Sequence, residues 1–110
     1  MEVKVNTSLI KKEINIESLG EYVMFFDMTS LVMYKEKNKS FIGAINKLLM
    51  YDDATILDFI ACTLRKKSNP DKPVGFEEVE KNPILYLLSC GMHAVNTVVE
   101  SFPENNKKKE

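Results

Sequence analysis

Apolar residues recur at helical spacing along most of the chain, most clearly from Asn82 to Phe102. Asn82 predicts a helix cap, and Pro83 suits the first helical position because its missing N–H needs no partner there. We expect this helix to bury a face made of Ile84, Leu88, Val95 and Val99, with Leu87 and Val98 beside it and Leu85, Tyr86 and Met92 off it. Because the apolar arc is wider than a surface helix needs, the helix is either central in a small core or partly covered by a second molecule.

A second region nearer the N-terminus shows the same excess of apolar residues. Ser18 and Glu21 have the spacing of a capping box, which predicts a helix beginning at Ser18. Its apolar residues would form two adjoining faces, one with Tyr22, Phe26 and Met33 and the other with Phe25, Met28 and Val32. Asp27, Thr29 and Ser30 either divide this segment into two helices or lie on the solvated side of one.

Two helices joined by a short turn are predicted next. Ser40 predicts the cap of a helix from Phe41 to about Tyr51. Asp53 predicts the cap of a helix over residues 54–66, because a carboxylate also suits the positive end of a helix. The faces that they would bury are Ile42, Ile45 and Leu49 in the first helix, and Ile56, Phe59, Ile60, Thr63 and Leu64 in the second.

The remaining segments complete a mainly α prediction. Residues 68–75 hold two prolines and a glycine and predict a loop, and residues 76–81 predict one or two helical turns that dock Phe76 and Val79. Alternating apolar residues predict a short β-hairpin or an extended arm over residues 1–17. We therefore expect one small domain of about five helices over residues 1–102, followed by a disordered charged tail at 103–110.

Composition narrows the classes of function. The 110 residues carry a formal net charge of −1, which argues against a nucleic-acid-binding surface, since such domains usually carry a clustered basic face. Ser89, His93 and Asn96 interrupt the longest apolar run, so we expect no membrane span. The first residues also lack the basic-then-apolar layout of a secretion signal.

Few residues offer catalytic or metal-binding chemistry. Cys90 and His93, three residues apart on a helix, could form a nucleophile–base pair or half of a zinc site, but no further ligands complete four. We expect Cys62 and Cys90 to be buried free thiols, although a disulfide between them stays open. The carboxylates of Asp52, Asp53 and Asp58 are interpreted as helix-capping groups rather than an acid–base pair. The expectation is a protein with no enzymatic activity, cofactor or metal.

Four segments of the chain carry short motifs: Phe26-Asp27-Met28-Thr29-Ser30-Leu31-Val32-Met33-Tyr34, then Lys39-Ser40-Phe41, then Thr55 to Arg65, and finally Asn82-Pro83 leading into the last helix. In these motifs the chain resembles the tail assembly chaperone family of siphophages. Asn38 stands where the family pattern has a glycine. The resemblance covers most of the chain and is nearest to the tape measure protein chaperones of lactococcal phages.

The resemblance implies a small helical chaperone that binds the tape measure protein and keeps it in solution until tail tube subunits polymerise around it. It implies a location in the host cytoplasm and absence from the mature virion. Other expected partners are further copies of the chain in a ring or spiral, a frameshift-extended form of itself, and the tail tube protein. The alternative class is a small adaptor or regulator that binds a host protein or DNA, since residues 40–66 form a helix–turn–helix pattern.

The surplus of apolar helix surface suggests how such a chaperone would work. If the chain cannot bury all of it, self-association or an apolar helical client is implied, with methionines supplying adaptable contacts. We place the predicted client groove on Tyr22, Phe25, Met28, Val32 and Met33, together with Leu85 and Met92.

Overall fold

The computed structural model describes residues 10–38 and 40–101 and shows five helices and a three-stranded sheet in that part of the chain. The elements are β1 (Lys12–Ile16), β2 (Gly20–Met24), α1 (Met28–Lys37), α2 (Phe41–Leu49), α3 (Asp53–Thr63), β3 (Leu64–Lys66), α4 (Phe76–Lys81) and α5 (Pro83–Glu100). The sheet is antiparallel with the order β1-β2-β3. The predicted fold class, mainly α with a short hairpin, is confirmed. Residues 1–9 of the predicted hairpin and the predicted tail lie outside the described residues.

The hairpin lies further along the chain than the sequence pattern predicts. Residues 12–16 pair with residues 20–24, and Gly20 at the turn has a φ of 115°, a conformation that favours glycine. The helix predicted to begin at Ser18 is therefore wrong, because residues 20–24 form β2 instead. Tyr22 and Met24, two residues apart in β2, are both buried, as expected for one face of a strand. The sequence did not reveal this alternation because the residues around them are also apolar.

The N-termini of the first three helices follow local capping rules. Asp27 caps α1 in a capping box with Ser30, so the polar residues do divide the apolar segment, leaving one strand and one helix. Ser40 caps α2 as predicted. Asp52 rather than Asp53 caps α3, through a hydrogen bond from the Thr55 N–H.

The helix predicted over residues 54–66 ends three residues early. Residues 64–66 pair with β2, and the Leu64 carbonyl accepts a hydrogen bond from the Val74 N–H in the following loop. Pairing with a distant strand thus overrides helical propensity at this point. The face predicted for this segment is nevertheless buried at every position: Ile56, Phe59, Ile60, Thr63 and Leu64.

The last two helices agree with their predicted bounds. Val79 is buried and Phe76 half-buried in α4, and the Asn82 side chain caps α5 with Pro83 at its first turn. The predicted buried face of α5 is only half correct. Val95 is buried, but Ile84 and Leu88 are exposed because they precede the point where Ile56 of α3 lies beside Gly91.

The core lies between α3, α5 and the inner face of the sheet, and an aromatic cluster joins α1 and α2 to it. The Tyr34 and Phe59 rings stack at 4.4 Å between centroids, and the Phe26 and Phe41 rings stack at 5.5 Å. Phe41 also meets Phe59 edge-on at 6.0 Å. Ring pairs in these geometries are favourable beyond their buried area, so this cluster fixes how α2 sits on the domain.

Candidate apolar interaction surface

Large apolar side chains remain on the surface of three helices and two turns. The exposed ones in the described part of the chain are Leu19, Met28, Val32, Ile42, Leu49, Met50, Tyr51, Ile84, Leu88 and Met92. Single exposed apolar residues are ordinary, but runs that share one helix face mark interaction sites. Two longer runs occur in the described residues, one on α2 with the turn after it and one on α5, and Met28 and Val32 form a shorter exposed pair on α1.

The first run we call the α2 face: Ile42, Leu49, Met50 and Tyr51. At 3.6 residues per turn, Ile42 and Leu49 lie within about 20° of each other on α2, roughly 110° away from buried Leu48. Ile42 is 76% exposed and Met50 79% exposed. The predicted burial of Ile42 and Leu49 is therefore wrong, since the core contacts α2 through the neighbouring arc that contains Ala44 and Leu48.

Tyr51 adds an aromatic side chain to the α2 face from a strained position. Its φ of 59° is the left-handed conformation, which non-glycine residues adopt at a cost. The backbone here closes α2, because the Asp52 N–H donates to the Lys47 carbonyl and the Tyr51 N–H donates to the Leu48 carbonyl. This C-terminal pattern usually places glycine where Tyr51 stands.

The second run we call the α5 ridge: Ile84, Leu88 and Met92. These residues are spaced four apart and form one row along the outer side of α5. Leu88 in the middle is 81% exposed. The opposite side of the helix is buried, with Tyr86, Cys90 and Ala94 in the core.

The structure does not bring all seven predicted groove residues to one surface. Tyr22 and Phe25 are only 3% and 7% exposed, because Tyr22 points inward from β2 and Phe25 follows directly after it. Met33 and Leu85 are half-buried against the core. Met28, Val32 and Met92 are exposed. Because Tyr22 and Phe25 are buried, they cannot contact a client, and their assignment to the groove is wrong.

Phe25 takes part in a buried ionic cluster that sequence reasoning missed. The Arg65 side chain is 1% exposed, and its guanidinium carbon lies 3.7 Å from the centre of the Phe25 ring. Its Nη2 donates to Asp27 Oδ1 at 3.0 Å and to Ser30 Oγ at 2.8 Å, while Nη1 donates to the Pro70 carbonyl. The Arg65 cluster, made of these five residues, ties the start of α1 to β3 and to the loop after β3.

The same contacts lower the pKa of the Asp27 carboxyl. Burial raises its pKa, but the hydrogen bond from the Ser30 N–H and the neighbouring Arg65 guanidinium outweigh this effect and leave the pKa below its usual value. The carboxylate of Asp27 therefore stays ionised beside the buried Arg65. The only indication of this cluster in the sequence was that the run Thr55–Arg65 ends in a basic residue, Arg65 itself.

The polar residues that were candidates for chemistry lie in separate environments in the structure. Cys62 and Cys90 are buried free thiols as predicted, and burial raises the pKa of Cys62 to about 12. His93 is exposed, so its side chain and the buried Cys90 thiol lie in different environments. The Asp58 carboxylate accepts hydrogen bonds from Lys37 and Asn38.

The described residues, 10–38 and 40–101, contain neither a metal-binding cluster nor a membrane-spanning helix. That part of the chain holds no group of three or more His, Cys, Asp or Glu side chains that could hold a metal ion. None of its helices has both the length and the apolar character needed to cross a bilayer. Comparison with family models, curated proteins and solved structures gave no match to this chain.

Proposed function

We propose that this protein is a phage tail assembly chaperone that binds apolar helical segments of a tape measure protein and keeps them in solution until the tail tube polymerises. One observation carries the proposal: α2 turns part of its apolar arc to solvent as the α2 face. This exposed arc and the motif resemblance both support an activity of the stoichiometric, helix-binding kind.

The α2 face has the chemistry of a surface that binds helices. Burying each large apolar side chain is worth roughly 1.5–3 kcal/mol, so leaving Ile42, Leu49 and Met50 in water forgoes substantial stability. Met50 is unbranched and polarisable and adapts to irregular partners, while Tyr51 presents a broad ring with a polar tip. A client helix with apolar residues at i, i+3 and i+7 would cover these side chains.

Binding of a client helix by the α2 face requires no chemical reaction. The client is bound through apolar burial and is released when tube subunits cover the same helical stripes more extensively. Met28 and Val32 of α1, which are exposed, provide a second set of apolar contacts. In this proposal the protein acts in the host cytoplasm and is left out of the finished virion, and a frameshift-extended form and the tail tube protein are further partners.

The test is co-purification with the tape measure protein encoded in the same genome. Ile42→Asp and Met50→Asp, introduced together, should abolish co-purification, because two charges would have to be buried against the client. Leu19→Asp is the matched control, since Leu19 is an exposed apolar residue on the β1–β2 turn. Far-ultraviolet circular dichroism should be unchanged in both variants.

Two results would count against the proposal. If wild-type protein fails to co-purify with the tape measure protein or to keep it in solution, the chaperone function is refuted. If wild type binds but the doubly substituted α2 variant binds equally well, the α2 face is not the client site.

A further inference from the structure

A polar cleft lies between the end of α1 and the starts of α2 and α3, and we call it the Tyr34 cleft. It encloses about 400 Å³, and its wall includes Tyr34, Gly43, Lys47, Asp52 and Asp58. This volume falls within the range of roughly 300–1,000 Å³ that is usual for ligand sites. Its polar groups set it apart from the apolar surfaces on α2 and α5 and indicate a different kind of ligand.

Tyr34 brings a hydroxyl group without a partner to this cleft. Its ring stacks on that of Phe59, and the residue is only 2% exposed. No group in the described residues forms a hydrogen bond with the hydroxyl, yet the hydroxyl is not enclosed, since the enclosed and unpartnered side-chain atoms there are Arg65 Nε and Thr97 Oγ1. The hydroxyl therefore opens into the cleft. A hydroxyl in so buried a residue normally has a hydrogen-bond partner, and here a ligand in the cleft would supply it.

Asp58 places a carboxylate beside this hydroxyl. Burial and the neighbouring Asp58 charge raise the pKa of Tyr34 to about 12, so the hydroxyl stays protonated. The Asp58 carboxylate accepts hydrogen bonds from Lys37 at 3.1 Å and from Asn38 at 3.3 Å. Lys37 also lies 3.7 Å from the Glu80 carboxylate, so its charge is divided between two acidic groups. Asp58 is therefore only partly neutralised.

The charges that line the cleft favour a cation. The Asp52 carboxylate accepts hydrogen bonds from the Thr55 hydroxyl at 2.7 Å and the Thr55 N–H at 3.1 Å, and these bonds lower its pKa. Asp52 and Asp58 face one ammonium group, that of Lys47, among the described lining residues. The described part of the chain holds no group of three side chains suited to a metal ion, which favours an organic cation.

The Tyr34 cleft adjoins the α2 face. Gly43 and Lys47 form its wall on α2. Met50 of the α2 face directly follows this helix and lies seven residues after Gly43, so the two are within about 20° of each other around the axis. The apolar surface therefore ends where the wall of the cleft begins. A helix that covers the α2 face passes along the mouth of the cleft.

We propose that the Tyr34 cleft binds the guanidinium group of an arginine carried by a client helix that lies on the α2 face. A guanidinium has five N–H donors in a planar fork, so it can donate to the Asp58 carboxylate and the Tyr34 hydroxyl together. Its methylene stem lies along Gly43 and Ala44, whose small size leaves room for it. The assignment to a client helix rests on the proposed chaperone function, whereas the preference for a guanidinium rests on the cleft alone.

Amide NMR of the full chain tests the cleft with N-acetylarginine amide as the probe. The probe should cause saturable shifts at the backbone amides of Asn38, Thr55 and Asp58, with a dissociation constant in the millimolar range. N-acetylcitrulline amide has nearly the same shape but no charge and should bind about tenfold more weakly. Inorganic phosphate, the anionic control, should leave these amides unshifted.

Two variants test the assigned groups. Asp58→Asn should weaken binding of the arginine probe about tenfold, because it removes the charge that the guanidinium faces. Asp53→Asn is the matched control, since Asp53 is exposed at the start of the same helix, and it should bind like wild type. Tyr34→Phe should weaken binding about threefold, as expected for one neutral hydrogen bond. It should not lower the free energy of unfolding, because the hydroxyl has no partner among the described residues.

Four results would overturn the guanidinium site. These are the absence of saturable shifts in wild type, equal binding of the citrulline probe, equal binding by Asp58→Asn, and shifts of the same amides by phosphate but not by arginine. A lower free energy of unfolding in Tyr34→Phe would show that the hydroxyl has a structural partner and would remove it from the site.

Co-purification with the tape measure protein tests the client assignment. Asp58→Asn should retain several-fold less of this protein than Asp53→Asn does. If Asp58→Asn loses the arginine probe but retains the tape measure protein fully, the cleft binds a free cation and the client assignment is wrong. If wild type retains no tape measure protein, the chaperone function fails, and the NMR titration still decides whether the guanidinium site exists.

Discussion

Replacing Asp27 by asparagine tests the contribution of the buried ion pair independently of the contribution of the helix cap. Asp27 caps α1 and also accepts a hydrogen bond from Arg65 at 3.0 Å. Asparagine caps helices about as well as aspartate, so Asp27→Asn removes the charge and leaves the cap in place. The remaining partners of Arg65 are all neutral: the Ser30 hydroxyl, the Pro70 carbonyl and the Phe25 ring.

The expected loss follows from the burial of the two partners. Removing one partner of a fully buried pair costs about 3–5 kcal/mol, because an uncompensated charge stays in the interior. The Arg65 side chain is almost wholly buried, but that of Asp27 is 30% exposed, and the neutral contacts of Arg65 remain. We therefore expect a loss of about 2–3 kcal/mol in the free energy of unfolding, below the range for a fully buried pair.

The loss should depend on pH in a defined direction. Because the pKa of Asp27 is lowered in the folded protein, its contribution is complete above the ordinary carboxyl pKa of about 3.9. It disappears as the pH falls through the lower folded-state value. The difference between wild type and Asp27→Asn should thus be constant near neutral pH and shrink in strong acid.

Urea unfolding followed by circular dichroism measures this difference. The control is Glu100→Gln, which makes the same carboxylate-to-amide change in a Lys12–Glu100 pair of the same 3.0 Å length on the surface. An exposed pair contributes about 0–1 kcal/mol, so the control should be nearly neutral. Equal losses in the two variants, or a loss below about 0.5 kcal/mol for Asp27→Asn, would refute the reasoning.

Two further predictions concern backbone strain and the burial of the thiols. Tyr51→Gly should raise the free energy of unfolding, measured in urea, by about 1 kcal/mol, because glycine relieves the left-handed strain and removal of the exposed ring costs little packing. A lower free energy of unfolding would show that the ring contributes to the fold. Cys62 and Cys90 should react with a thiol reagent only after unfolding, because burial raises the pKa of both thiols and shields them. Rapid modification of the native protein would contradict this burial.

Local sequence determined where most helices begin. Ser40 and Asn82 cap α2 and α5 as predicted, because a cap depends on hydrogen bonds within one turn of the helix. The loop at 68–75 was predictable for the same reason, since its prolines and glycine restrict the backbone locally. The buried face of α3 was also predictable from helical spacing alone, because α3 lies in the middle of the core.

Strand pairing was decided by contacts distant in sequence. Residues 20–24 and 64–66 read as helix in isolation, yet they pair with each other and complete the sheet. The buried position of Arg65 depends on the same pairing, which brings its side chain to Asp27, 38 residues away along the chain. No local pattern contains that information.

The sequence alone determined that the helices carry wide apolar arcs, and it allowed either complete burial of these arcs in one core or partial exposure. Only the tertiary structure decided which part stays outside. The contact through Leu48 fixes the rotation of α2 and leaves Ile42 in solvent, whereas Leu88 is exposed because it precedes the point where Ile56 of α3 lies beside Gly91. The physical reason is that an apolar arc of a helix can be wide, whereas its neighbours cover only the part they touch.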